Sequence, residues 1–182
     1  MKVFSDALQN TDEPTLVSLL HGGDVARTTA TIPHPYTSAH AQAWLARVAS
    51  NGESHLAIRC PEIQQCAHTL VGVVSALPYR DGWRNVAYWI GEPYRGLGIC
   101  SLALGALMRT TGAPRYTGMC LIGNAASARV LVRNGFQLAG LVNRPWRDAG
   151  LVTLQAYVYP PASLASARAE WPDLQMPMNR PG

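Results

Sequence analysis

The residues whose types and spacing carry most chemistry are Arg95-Gly96-Leu97-Gly98-Ile99-Cys100-Ser101. They follow an apolar run over 85–90 of strand composition and a break at Gly91-Glu92-Pro93. Beyond them Ile99, Leu102, Ala103, Ala106 and Leu107 recur at the spacing of one helix face. A strand, a glycine-rich turn and a helix start together make an anion cradle. Glycine lets the main chain come close to a ligand, and the first N–H groups of a helix have no partner within it. The expected ligand carries phosphate.

Charge agrees with that expectation. The net charge is +4, yet no Asp or Glu occurs between Pro93 and Arg147, where Arg95, Arg109, Arg115, Arg129, Arg133, Arg144 and Arg147 add seven positive charges. The rest of the chain therefore sums to −3, since 4 minus 7 is −3. A basic half built around the turn favours an anionic ligand there.

Two nucleotide chemistries lack a necessary piece. Gly96-Leu97-Gly98-Ile99-Cys100-Ser101 comes close to G-x-G-x-x-G/A, but a dinucleotide site wants an acid about 20 residues further on to hold the ribose. The first acid after the turn is Asp148. A P-loop would need a Lys-Ser/Thr ending, and none is present.

The elements that must position the turn are legible from periodicity and breakers. A short strand is expected near Val3-Phe4, and a helix over 15–21 opened by Asp12-Glu13-Pro14. A stiff loop with two prolines covers 28–37. The next helix, 39–50, puts Ala41, Trp44, Leu45 and Val48 on one face. Strands over 55–60, 68–77 and 85–90 lead into the turn, with a loop over 61–67. The helix after the turn stops at Gly112-Ala113-Pro114. A strand over 115–122, a helix over 125–133 capped by Asn124 and ended by Asn134-Gly135, and strands over 136–142 and 152–159 complete the order, the last two joined by a polar loop over 143–150. The fold class is α/β (α+β) with a mixed sheet. Residues 1–160 read as one domain, and 161–182 as a C-terminal helix with a loose, proline-containing tail.

At 182 residues and 19.7 kDa, with 48% apolar and 14% charged residues, the chain can bury a core without disulfides or metals. No run of about 20 apolar residues occurs, so no membrane partner is expected. Met-Lys-Val-Phe-Ser-Asp reaches an acid too early for a signal peptide. Cys60, Cys66, Cys100 and Cys120 lack Cys-x-x-Cys spacing and read as reduced, structural thiols. A cytoplasmic protein is the expectation.

Two motifs carry a family resemblance. Arg95-Gly96-Leu97-Gly98-Ile99-Cys100 resembles the R/Q-x-x-G-x-G/A pyrophosphate loop of the GNAT superfamily of acyl-CoA-dependent N-acyltransferases, with Cys100 in place of the final Gly or Ala. The stretch from Asn124-Ala125-Ala126-Ser127 to Asn134-Gly135-Phe136 is similar to that superfamily's N-x-x-S-x-x-V-x-x-x-x-G-F helix. The Tyr88-Trp89-Ile90-Gly91-Glu92 lead-in and the Ile32-Pro33-His34-Pro35-Tyr36 loop resemble the RimJ/RimL-like branch, which includes acetyltransferases of ribosomal-protein N-termini.

The resemblance implies a mixed sheet of about six to seven strands flanked by about four helices. It implies an N-acetyltransferase using acetyl-CoA as co-substrate and no metal. The acetyl group would pass by direct attack in a ternary complex to a primary amine, on a protein N-terminus or a small molecule. The alternative is a non-catalytic acyl-CoA-binding or sensor module. Trp89, Ile90 and Gly91 would lie along the pantetheine, with the Ile90 or Gly91 amide polarising the carbonyl. Arg95, Gly96, Leu97, Gly98, Ile99, Cys100 and Ser101 would hold the pyrophosphate, with Asn124 and Arg129 on the cofactor side and Arg133 near the phosphates. Ser127 would return a proton to the leaving thiolate. Glu92 is the first candidate for general base, with His34, His55 and Asp81 in reserve. His34, Tyr36, Trp83, Trp146 and Asp148 would rim the acceptor pocket. Small amines or peptides, and not nucleic acid, are the expected partners of a monomer or homodimer.

Overall fold

One mixed sheet of seven strands runs in the order β1-β2-β3-β4-β5-β7-β6. The computed structural model describes residues 2–51, 54–64, 69–80 and 82–175. Cys66, His68 and Asp81 lie outside the described residues, as does the tail beyond 175. In chain order the elements are β1 Phe4–Ala7, α1 Glu13–Leu20, α2 Asp24–Arg27, α3 Ser38–Asn51, β2 Ser54–Arg59, α4 Pro61–Gln64, β3 Leu70–Pro78 and β4 Trp83–Ile90. Then come α5 Ile99–Thr111, β5 Arg115–Leu121, α6 Ala125–Arg133, β6 Gln137–Pro145, β7 Leu151–Tyr159 and α7 Leu164–Glu170. No described helix is long and apolar enough to cross a membrane.

The first four strands are antiparallel neighbours, β4 and β5 are parallel, and β7 inserts antiparallel between β5 and β6. The parallel step is forced by the connection: α5 carries the chain from the end of β4 back to the start of β5. Strand β3 is buried from Leu70 to Ala76, as its unbroken apolar run requires of a strand covered on both faces. On one face Val74, Val86 and Ile90 meet Ile99, Ala103, Leu104 and Leu107 of α5. On the other, Val73 and Ala57 meet Leu16 and Leu20 of α1 and Leu45 of α3. A third cluster, from Trp83 through Val142 and Leu154 to Ala167 and Trp171, seats α7 on the far half of the sheet.

Three features depart from the expected elements. Short helices α2 and α4 occupy stretches too brief for helical periodicity to show. The β6–β7 connection is shorter than the expected 143–150 loop, because β6 runs on to Pro145, paired with Leu151. The stretch after Glu170, expected to be loose, is docked through Gln175. Trp171 is 1% exposed, and Leu141 and Gln175 exchange both main-chain hydrogen bonds at 2.7 Å. Asp173 pairs with Arg144 and, at 3.6 Å, with Arg80.

At the opposite edge Arg59 is buried with Asp12, which it grips at 2.9 and 3.0 Å, while its Nε reaches Asp6 at 2.7 Å. Asp12 also accepts the Gln9 N–H at 2.9 Å. This ties β1 and the entry to α1 onto β2. Removing one partner of a buried pair strands the other charge, at a cost of about 3–5 kcal/mol. Arg59→Leu is therefore expected to destabilise the fold by about that amount in urea unfolding; a change below about 1 kcal/mol would show that the pair is solvated and weak.

The tail carries its own pH dependence. Burial pushes the Asp173 carboxyl up, but Arg144 by hydrogen bond and charge, with Arg80, outweighs this and holds it below its ordinary value. A carboxylate depressed in the folded state stabilises above its unfolded pKa, and that contribution is lost as pH falls through the folded value. Docking of Trp171 is thus expected to be complete at neutral pH and to weaken as pH drops below about 4. Tryptophan fluorescence should follow this, and Asp173→Asn should weaken docking at pH 7 and flatten the acid transition.

Candidate active site

The main-chain pairing of β4 opens a gap in the sheet. Tyr79 N–H donates to Trp83 C=O and Gly91 N–H donates to Val71 C=O, each at 2.9 Å. Hydrogen-bonded pairs alternate along an antiparallel ladder, so the odd-numbered residues of β4 bond toward β3. Pro78, opposite Arg84, falls at a non-bonded position where no N–H is needed. The even-numbered residues Arg84, Val86, Tyr88 and Ile90 therefore face β5. Strand β5 answers only as far as Val86, paired with Gly118. Past that pair the main-chain groups of Tyr88 and Ile90 look into a wedge between the strands. Gly72 helps by letting the end of β4 lie close on β3: a Cβ there would meet Trp89 C=O at 2.3 Å. A cavity of about 1330 Å³ passes through the wedge, lined by β4, the glycine-rich turn, α5 and α6 on one side and by α2, α3 and the 28–33 loop on the other.

At the mouth of the wedge, Gly96 and Gly98 take φ of 78° and 76°, left-handed values that favour glycine. No heavy atom lies within 4 Å of a Cβ at either position, so the space above the turn is open. The first helical bond of α5 runs from Leu102 N–H to Gly98 C=O at 3.2 Å. The amides of Ile99, Cys100 and Ser101 thus precede the helical ladder and present donors to an anion, reinforced by the helix dipole. Arg95, Arg129 and Arg133 line the same end. Arg95 Nε also donates to Ile90 C=O at 3.2 Å, fastening the turn to the end of β4. Asn134 Nδ2 reaches Ser101 C=O at 3.2 Å, Ser101 Oγ at 3.1 Å and Val130 C=O at 2.9 Å, clamping α5 to α6. Burial pushes the Cys100 thiol up to about 12, so it stands there as a neutral wall. Leu97 is largely exposed and is not among the lining residues.

Deeper in the wedge, Asn124 Oδ1 accepts the Ser127 N–H at 3.1 Å and caps α6. Tyr88 crosses from β4 to place its hydroxyl 3.1 Å from Ser127 C=O and 3.0 Å from Ser127 Oγ. Burial raises the Tyr88 phenol far above its ordinary value. Burial also raises the Cys120 thiol, against a hydrogen bond with Ser127. At neutral pH this is a cluster of uncharged, proton-bearing groups. It can donate to a negative charge that develops beside it, and it has none of its own.

The other half of the cavity is aromatic with a polar floor. Tyr36, Trp44, Trp89 and Trp146 are walls, and His55, Ser75 and Asn85 lie between them. Several expected residues stand elsewhere. His34 is exposed and outside the lining, its ring against Gly23, where a Cβ would meet it at 2.8 Å. Trp83 is 1% exposed and holds the tail: its ring lies 5.1 Å from that of Trp171, and its Nε1–H donates to Glu170 at 2.8 Å. Glu92 is exposed in the turn after β4 and does not line the cavity. Gly91 is buried against Leu19, and its amide is engaged by Val71. That leaves the Ile90 amide, of the two considered, facing the wedge.

Sequence reasoning missed Tyr88 as a partner of Ser127, Cys120 beside it, and the Asn134 clamp. Strand alternation could have found the first, since it sends Tyr88 to the opposite face from Trp89. The Asn134 side chain left no signal beyond helix termination.

The sequence model of the acetyltransferase (GNAT) domain family matches residues 6–137. The ribosomal-protein-serine acetyltransferase of Escherichia coli (strain K12) is 32% identical over 81 residues, which are 41% of this chain and 45% of that protein. The chain thus matches less than half the length of that curated relative. Among solved structures, RimL, a ribosomal L7/L12 alpha-N-protein acetyltransferase in complex with coenzyme A, superposes with a TM-score of 0.73 at 20% identity, covering 87% of this chain and 93% of that one. Spermidine N-acetyltransferase from Vibrio cholerae, in complex with CoA and spermine, gives 0.70 at 11% identity, covering 90% and 98%. These structures share the fold, and with the family model matching residues 6–137 the chain belongs to the GNAT acetyltransferases.

Proposed function

We propose that the protein transfers the acetyl group of acetyl-CoA to a primary amine, on a protein N-terminus or a small molecule, by direct attack in a ternary complex. The observation that carries this reading is the wedge between β4 and β5, with an amide cradle at its mouth and the Tyr88–Ser127 pair within it. The residues present fit acetyl-CoA. The amides of 99–101 with Arg95, Arg129 and Arg133 suit the pyrophosphate and nucleotide phosphates. The edge of β4 at Tyr88 and Ile90 offers main-chain partners to the pantetheine amides, as a strand edge does to an added strand.

The Ile90 amide polarises the thioester carbonyl, which gains negative charge as the amine nitrogen bonds to its carbon. The carbon–sulfur bond then breaks, and Ser127 Oγ–H lies where it can donate to the leaving thiolate. Tyr88 orients that hydroxyl and, with its phenol held protonated, cannot compete as an anion. The aromatic half of the cavity holds the acceptor. The relatives named above act on ribosomal proteins or on spermidine, so family membership alone leaves the acceptor open between those classes.

Acetyl-CoA is expected to raise the melting temperature in a concentration-dependent manner. Gly98→Asp, which strains a left-handed position and puts a carboxylate in the cradle, should abolish that shift while the unliganded protein still melts cooperatively. Failure of any acyl-CoA to stabilise the protein would remove the reading. Release of free CoA thiol, measured against a panel of polyamines and peptides with free N-termini, should identify an acceptor. Ser127→Ala should then lower kcat about 100-fold with little change in KM for acetyl-CoA; an unchanged kcat would take Ser127 out of the proton path.

A further inference from the structure

The reaction needs a group that takes a proton from the incoming ammonium, and the acids nearby are poorly placed for it. Glu92 faces solvent. Among the described lining residues Asp24 is the one carboxylate, and it is paired with Arg27. The register of the sheet brings a different set of groups together. His55, Ser75 and Ala87 stand in one cross-strand row, and direct antiparallel partners share a face. Asn85 and Trp89 sit one pleat to either side on the same face of β4. All five line the acceptor half of the cavity. Strand β4 leaves its pairing with β5 just after Val86, so Ala87 marks the level at which the wedge begins.

Within this row His55 Nδ1 lies 2.7 Å from Ser75 Oγ. Ser75 is 3% exposed, and Trp44 sets the edge of its ring against His55 at 5.5 Å. The Asn85 side-chain oxygen is buried and has no hydrogen-bond partner among the described residues. A buried acceptor without a donor is costly, and it marks a place where a ligand N–H or a water completes the site.

We infer that Ser75 and His55 form the proton relay for the acceptor amine, with Asn85 Oδ1 accepting a second N–H to orient it. The inference rests on the acetyl-transfer reading above. Ser75 Oγ accepts a proton from the ammonium, directly or through one water, while its own O–H proton passes to His55 Nδ1. The neutral amine attacks the thioester carbon, the C–N bond forms and the C–S bond breaks. Two protons leave the nitrogen in all: one reaches solvent through His55, and the other ends on sulfur by way of Ser127, whose hydroxyl is restored. The charged and titratable groups sharing the chamber with His55 are Tyr36 ahead of α3, Arg47 and His40 from α3, Asp24 from α2, and Tyr79 and Arg144 at the far rim. An imidazole is suited to the task because one ring nitrogen can take up a proton while the other releases one.

The test compares two nucleophiles on the full chain. One is an alkyl primary amine, an ammonium at pH 7; the other is hydroxylamine, already neutral there. His55→Gln keeps a hydrogen-bonding group beside Ser75 but cannot take up the proton. It is expected to lower kcat about 100-fold with the alkyl amine and less than about threefold with hydroxylamine, leaving KM for acetyl-CoA unchanged. Ser75→Ala should show the same split, and the double variant should be no worse than either single one, as for groups acting in series. Retained thermal protection by acetyl-CoA shows that each variant is folded. Equal losses with both nucleophiles would reveal a structural role and overturn the relay, as would a His55→Gln enzyme within threefold of the parent on the alkyl amine. Should the parent release no thiol with either nucleophile, the acetyl-transfer reading falls and the relay with it.

Discussion

The site depends on one constraint, the early end of the parallel pairing between β4 and β5. A parallel neighbour would normally satisfy the outward main-chain groups of β4 along its whole length. Here it stops at Val86 and Gly118, so the strand beyond carries donors and acceptors without a strand partner. Such an edge inside a domain is tolerable only if something else completes it. Arg95 does so in part, by capping Ile90 C=O. The rest stays open to the cavity, next to the unpaired amides at the start of α5. The opening is held on both flanks: Gly72 keeps β4 close on β3, while Gly118 accommodates Leu131, whose side chain would meet a Cβ there at 2.5 Å.

The separation of roles across β4 follows from strand alternation. Even-numbered Tyr88 points through to α6 and meets Ser127; odd-numbered Asn85, Ala87 and Trp89 point to the face shared with His55 and Ser75. One strand thereby separates the Tyr88–Ser127 hydroxyls from the His55–Ser75 pair, one on each face of the sheet. Burial favours the protonated forms of Tyr88 and Cys120, and the His55 row lies among the aromatic walls of the same cavity.

The glycine-rich turn and the α6 cap were legible in the sequence because they are local devices. Glycines at φ near 77°, a helix start and a capping Asn each leave a mark within a few residues. The element order was legible for the same reason, since α6 and the strands around it are bounded by Gly, Pro and Asn. What escaped was whatever depends on register. Trp83 looks like a pocket aromatic in a list of residues. Its position opposite Tyr79 and beneath Trp171 makes it a core residue instead. Glu92 is next to the right strand in sequence, but the turn that follows Gly91 swings it into solvent. His55 and Ser75 are 20 residues apart, and only the β2–β3 ladder makes them neighbours.

The docked C-terminal segment belongs to the same mechanics. Arg144 lines the cavity, yet its guanidinium is held from behind by Asp173 and by Tyr79 at 2.9 Å. Arg147, one turn further, bridges the rim to the main chain of Ala26 and to Ile32 C=O at 2.7 Å. The β3–β4 turn, the β6–β7 hairpin and the 26–32 loop are thus joined by the side chains of two arginines. Both guanidinium groups are fixed in place by these contacts, so they set the shape of the rim. Acceptor choice in this protein should then follow from the aromatic walls and the polar floor between them. Substitutions in the tail would alter it only by loosening the rim.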